Sequence, residues 1–160
     1  MPPIDSTAGH FADLRWFPLV AQRVSGHLRV EHAEQAQRLM GSVWARRQYF
    51  VSYVDARDVT WTDNDYRKQA AAVVRVLEDG KPPFRVGTAI VIRSALTRAA
   101  LSVLNALSRS VNPPVVVATP VEAAGVLSRL WTDARGPLPR ALIEGLDAVR
   151  RDQLDLPRVV

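Results

Sequence analysis

A chain of 160 residues that is 48% hydrophobic and 23% charged can bury one sizeable core, which excludes a disordered chain and leaves little room for a second domain. It holds no cysteine, which excludes disulfides and thiolate chemistry, and its longest apolar runs, such as residues 86–92, are far too short to cross a bilayer. The net charge of +5 is carried mostly by arginine, and residues 80–121 hold four arginines and one lysine without a single acidic residue, a balance that favours acidic or phosphate-bearing partners.

Residues 1–13 are rich in Pro, Gly, Ser and Thr and read as a flexible lead-in, with no basic start and apolar stretch of a signal peptide, so a cytoplasmic location is expected. Residues 16–24 (WFPLVAQRV) predict a first strand, with Pro18 at an edge or in its opening turn, and Ser25 and Gly26 predict the turn that ends it. Residues 30–47 predict a helix on the spacing of Ala33, Ala36, Met40, Val43 and Trp44, poorly capped because Arg29 stands at its start. Residues 49–54 (YFVSYV) predict a central strand, followed by a loop that reaches Asp65. Thr62 is expected to cap a second helix with Asp63 and Asp65 in its first turn and Tyr66, Ala70, Val73, Val74 and Leu77 as its buried stripe.

Residues 79–83 (DGKPP) stop that helix, and residues 86–92 predict a further buried strand. Ser94 caps a third helix whose apolar stripe runs from Leu96 to Leu107 and whose opposite face carries Arg98, Ser102, Asn105 and Arg109. A short strand at 115–118 leads into the strongest local signal in the chain: Thr119 as cap, Pro120 at the first helical position and Glu122 completing a capping box. That helix is expected to reach about residue 131; the run at 136–139 (GPLP) breaks it. A last amphipathic helix follows at 140–153 with Leu142, Leu146 and Val149 on one face. Strands alternating with helices predict an α/β fold with a mostly parallel sheet of four to five strands.

The sequence carries few signs of catalytic chemistry. No GxGxxG or GxxxxGK[ST] loop is present, and the histidines, His10, His27 and His32, do not share a helix face with metal-ligand spacing; they read as surface residues. No GxSxG elbow exists, and Ser94 reads as a helix cap. Asp55 ends a strand as the phosphorylated aspartate of response-regulator receivers does, but the acidic pair and the late lysine of that site are missing, so Asp55 is expected to cap a turn toward Arg57. Arg93, Arg98 and Arg109 could meet phosphates, yet no nucleic-acid motif accompanies them, and nucleic acid is not the expected partner. No cofactor and no metal are expected.

The order of elements, together with the segment 49–55 (YFVSYVD), the block 87–107 (GTAIVIRSALTRAALSVLNAL) and the closing 112–124 (NPPVVVATPVEAA), resembles the STAS-like superfamily, the anti-sigma-factor-antagonist fold whose wider relatives include CRAL-TRIO domains. The likeness covers residues 14–132, is closest in kind to small bacterial STAS-like proteins of unassigned role, and leaves a C-terminal helix extension at 137–154 outside it. Members of that superfamily carry Asp-Ser-Ser-Gly in the loop before a helix, with a phosphorylated serine. Laid on this chain, Asp63 matches the aspartate, Asn64 and Asp65 stand at the serines and Tyr66 at the glycine, so the resemblance implies a switch module without its acceptor serine. Thr60 and Thr62 are the remaining hydroxyls, and Asp65 would supply a permanent negative charge in the acceptor's place.

The expected function is therefore a non-catalytic protein–protein interaction or regulatory module in bacterial signalling or assembly. Its expected contact surface combines Arg57, Thr60, Thr62, Asp63, Asn64 and Asp65 with Arg93, Arg98, Ser102, Asn105 and Arg109. The partner is another protein, an acidic one by charge, or a second copy in a homodimer; the alternative is binding of a lipid or other small apolar ligand, and an enzyme with an unfamiliar site ranks third.

Overall fold

The computed structural model describes residues 9–78, 84–95, 97–98 and 112–156, and for residues 71 and 73–78 the backbone alone. Five strands, β1 (Gly9–Asp13), β2 (Leu19–Leu28), β3 (Phe50–Thr62), β4 (Arg85–Val91) and β5 (Val115–Val117), form one sheet in sequential order. β1 runs antiparallel to β2, and every other neighbouring pair is parallel. The helices among the described residues are α1 (Val30–Trp44), α2 (Asn64–Glu78), α3 (Pro120–Arg135) and α4 (Arg140–Arg150). A further helical turn opens at Ala95, where Ser94 Oγ accepts from the Thr97 N–H at 3.2 Å as its cap.

The period-two alternation of the strands divides the sheet into two apolar faces. Leu19 and Ala21 of β2, Val51 and Tyr53 of β3, Ala89 and Val91 of β4 and Val117 of β5 face α3 and α4, which bring Ala123, Ala124, Leu127, Trp131, Leu142, Leu146 and Val149. On the other face Val20 and Phe50 meet Val43 and Trp44 of α1, Trp44 standing edge-on to Phe50 with centroids 5.1 Å apart. Both faces of the sheet are thus covered, as parallel strands with short continuous apolar runs require.

Local chemistry explains most boundaries. Pro18 stands just before β2, and its carbonyl accepts from the Val51 N–H at 3.0 Å, so the residue that cannot donate still extends the ladder. α3 starts as the sequence predicts, with Thr119 Oγ1 accepting from the Glu122 N–H at 3.2 Å. The Glu122 carboxylate reaches back to the Ala118 N–H at 3.3 Å, one residue beyond the usual capping-box donor. α1 is better capped than Arg29 suggests: His32, at the third helical position, accepts from the Arg29 N–H at 2.8 Å through Nδ1 and does the work of the capping-box glutamate.

Three expectations change. Residues 9–13, expected in the flexible lead-in, are strand β1. Ser25 and Gly26 do not turn the chain; they lie inside β2 opposite Asp58 and Val59. Residues 56–62 are not a loop but the second half of β3, which continues past the end of β4 paired with β2. Consequently Thr62 ends a strand instead of capping α2; α2 begins at Asn64, and Asp63 holds the preceding position with its carbonyl accepting from the Arg67 N–H at 3.1 Å. Val73, Val74 and Leu77 of the predicted α2 stripe lie outside the described side chains.

α4 packs its predicted apolar face on the sheet, with Leu142, Leu146 and Val149 all at 0% exposure. Gly145 sets how closely it approaches: a Cβ there would stand 2.6 Å from Trp16 Cβ and 2.8 Å from Leu19 Cδ2. Alanine is the better helix former by about 1 kcal/mol, but forcing a methyl into this contact costs about 1–3 kcal/mol. Gly145→Ala is therefore expected to lower the urea midpoint, although at an exposed helix site the same change would raise it.

Candidate functional site

The polar residues gather where β2 and β3 run on beyond β4. β3 gains a residue on β2 twice: Arg23 pairs with Asp55 but Ser25 with Asp58, and Gly26 pairs with Val59 but His27 with Trp61. These bulges re-aim the side chains of the ribbon. Gly26, on β2 beside the second of them, lies at φ 76°, in the left-handed region that other residues adopt at a cost.

At the tip of the ribbon and the start of α2 the surface is mixed. Trp61 is 64% exposed, the largest exposure among the described large apolar side chains. Thr60, Asn64 and Asp65 are exposed, and Thr62 is half-buried. Asp63 Oδ1 lies 2.7 Å from His27 Nε2, and its N–H donates to the Leu28 carbonyl at 3.1 Å, which ties α2's entry to the end of β2. Asn64 Oδ1 accepts from Arg67 Nη2 at 2.6 Å, while Asp65 sits in the first turn of α2, where the helix dipole favours its charge. Arg93 is 70% exposed and its Nη2 lies 3.8 Å from Asp58 Oδ1, a loose surface pair worth little energetically. Arg98 is half-buried and donates through Nη1 to the carbonyls of Ile92 and Arg93 at 2.8 and 2.7 Å. Ser102, Asn105 and Arg109 lie outside the described residues.

Arg57 belongs elsewhere. With Arg23, Asp55 and Asp152 it forms a buried ionic chain under the C-terminal segment. Asp55 is buried to 2% side-chain exposure between two guanidinium groups. Arg57 Nε and Nη2 grip its two oxygens at 2.9 and 2.7 Å, and Arg23, itself 1% exposed, donates to Oδ2 through Nε and Nη2 at 3.3 Å. Arg57 also holds Asp152, Nη1 to Oδ2 at 3.1 Å and Nη2 to Oδ1 at 2.7 Å. Burial pushes the Asp55 carboxyl upward, but the Arg57 hydrogen bonds and the charges of both arginines outweigh it and hold Asp55 below the usual carboxylate range. The hydrogen bonds to Asp55 and then Asp152 raise Arg57 in turn. Asp55 does receive the Arg57 N–H, at 3.1 Å, but within a bulged strand instead of a turn.

The histidines are built in more firmly than surface residues. His10 on β1 places Nε2 3.0 Å from Tyr66 Oη on α2, with the two rings stacked. Burial, and then the neighbouring His32, lower His10 from 6.5 to about 4, and burial pushes the Tyr66 hydroxyl up to about 12. Among the described residues no three or more His, Asp or Glu side chains gather in a metal-binding group, and no helix is long and apolar enough to cross a membrane.

Two sides of this arrangement were beyond sequence reasoning. The His27–Asp63 pair spans 36 residues and the Arg57–Asp152 pair 95, and no local spacing announces either. Trp61 carried a usable signal, being a large aromatic in an otherwise polar stretch.

The fold is that of the SpoIIAA-like, or STAS-like, class: a five-stranded, mostly parallel mixed sheet with helices on both faces. The solved structure that shows this is an uncharacterized protein of the DUF3478 family from Shewanella loihica PV-4, described as having a SpoIIAA-like fold. It superposes with a TM-score of 0.53 at 19% identity over 68% of this chain and 83% of its own. No protein-family model and no curated protein matches the chain.

Proposed function

We propose that this protein is a non-catalytic interaction module whose contact surface is the β3–α2 junction around Trp61, Asp63, Asn64 and Asp65, with Arg93 at its margin. The observation that carries the reading is Trp61, a tryptophan 64% exposed at the tip of a bulged ribbon and flanked along the chain by Thr60, Thr62 and Asp63. Tryptophan is over-represented among residues that dominate binding energy, and a polar rim around an aromatic anchor is the usual anatomy of such a surface. The position also coincides with the loop that carries the switch serine in the proteins this chain resembles, here occupied by Asn64 and Asp65. The partner is a protein, the regulatory setting bacterial signalling or assembly, and the compartment the cytoplasm.

The test is site-specific photo-crosslinking in the native host from position 61, with position 143 on α4 as the control, since Ile143 is also 44% exposed. A protein crosslinked from 61 and not from 143 supports the reading, and Trp61→Ala should then weaken that complex by about 2 kcal/mol or more while changing stability by less than about 0.5 kcal/mol. No crosslink from 61, together with a small apolar adduct in a native mass spectrum, would move the protein to ligand binding instead. An Asp65→Ser variant that binds the partner unchanged removes the idea that Asp65 imitates a modified serine.

A further inference from the structure

The segment after α4 is seated in a manner its backbone alone does not require. α4 closes in a Schellman turn: the Asp152 N–H donates to the Val149 carbonyl and the Gln153 N–H to the Ala148 carbonyl, both at 3.0 Å. Asp152 occupies the left-handed position of that turn at φ 53°, where glycine is the relaxed choice. A carboxylate is kept there against that preference, and its two oxygens meet Arg57 in a fork-to-fork pair. From there residues 153–156 run without helix or strand. Leu154 and Leu156 turn inward to 6% and 8% exposure, while Asp155 between them is 90% exposed. The Leu156 carbonyl accepts from Arg23 Nη1 at 2.5 Å.

The seat is thus an aspartate site followed by two apolar pockets at a spacing of two, with a carbonyl anchor at its far end. It is also charge-matched to one carboxylate, since Arg23, Asp55 and Arg57 together carry a single excess positive charge. Tyr53 Oη, fully buried in the same electrostatic neighbourhood, finds no hydrogen-bond partner among the described residues. Asp55 pairs with Val91, the last residue of β4, so the seat lies beside the carboxyl end of that parallel strand. Asp152 at 34% and Arg57 at 15% side-chain exposure are reachable from solvent, unlike Arg23 and Asp55.

We propose that this seat is a binding site for an acidic peptide, an aspartate followed by leucines two and four residues on, and that residues 152–156 fill it as a displaceable plug. This site is separate from the Trp61 surface and does not depend on that surface's role. The incoming aspartate takes the Arg57 fork, its leucines the pockets of Leu154 and Leu156, and its backbone carbonyl the Arg23 N–H.

The probe is a C-terminally amidated peptide with the sequence of residues 152–156, carrying fluorescein on its N-terminal amine through a glycine spacer and titrated into the chain by fluorescence anisotropy. Asp152→Asn, which tolerates the left-handed position but weakens the Arg57 pair, is expected to bind it about tenfold or more tighter than the unaltered chain. A peptide with asparagine for its own first aspartate should lose about the same factor. Independently, excess peptide added to the unaltered chain should speed amide exchange at residues 153–156 and leave residues 51–55 unchanged, a readout that stands even if the variant fails to fold. Absence of both binding and the exchange response overturns the proposal, as does binding indifferent to the peptide's aspartate.

Discussion

Asp55→Leu is expected to cost about 3–5 kcal/mol, a large share of the total stability of an ordinary domain. The reason is what the substitution leaves behind. Arg57 keeps Asp152 and a view of solvent, but Arg23 sits at 1% exposure with its carboxylate gone. The reverse change, Arg23→Met, should cost clearly less, because Asp55 is still gripped by two Arg57 nitrogens at 2.9 and 2.7 Å and by the Arg57 backbone N–H. The double variant Arg23→Met with Asp55→Leu should be more stable than Asp55→Leu alone, since it removes the stranded charge together with its partner. Chemical denaturation of the three variants measures all of this. A double variant as unstable as the sum of the two singles would mean that the pair's geometry, and not its charge balance, supports the strands.

The framework of the fold was legible because it rests on local rules. Thr119, Pro120 and Glu122 mark the start of α3 within four residues, and the stripe of Leu142, Leu146 and Val149 marks the buried face of α4. What escaped was decided by residues far apart in the chain. Residues 56–62 look like a loop because Arg57 and Asp58 are charged and Thr60 and Thr62 polar; they are strand because Asp152 neutralises Arg57 from 95 residues away and β2 supplies the ladder. Ser25 and Gly26 carry the chemistry of a turn, yet Gly26 takes its left-handed conformation inside β2, where the register with β3 shifts. β1 is five residues long and begins Gly-His, so its strand character depends on pairing with β2 and on Tyr66 receiving His10. The candidate site follows the same division. Asp63 to Asp65 stand at the entry to α2 one position later than the sequence suggests, with Asp63 before the helix and not in its first turn, whereas Arg57, grouped with them by sequence proximity, points into a different structure altogether.

The stability of the protein should fall by up to about 3 kcal/mol between pH 6.5 and pH 4, and His10 is the group that sets this window. Folding buries the imidazole and lowers it from 6.5 to about 4, so over that interval the unfolded chain binds a proton that the folded chain refuses. The stabilising difference is complete above pH 6.5, shrinks as pH falls, and is gone once both states are protonated below about 4. The carboxylates work lower on the scale. Asp13, held down by its Arg15 hydrogen bonds, and Asp55, held down by Arg57 and Arg23, lose their contribution as pH drops from about 3.8 downward, so their window begins about where that of His10 ends. His10→Gln keeps a hydrogen-bonding side chain opposite Tyr66 and removes the titration. Urea unfolding from pH 7.5 to pH 4 should therefore show a flattened slope in this variant, with a modest loss at pH 7.5. A variant whose slope matches the unaltered chain would assign the acid sensitivity to another group. The location gives the effect a second consequence, because Tyr66 lies one residue beyond Asp65 and its contact with His10 fixes the first turn of α2 against β1. The folded chain keeps His10 neutral down to about pH 4, and only below that does the charged ring favour solvent over its buried place. Partner binding through Trp61 and Asp65 should therefore hold down to about pH 4 and weaken below it, and His10→Gln should remove that part of the loss.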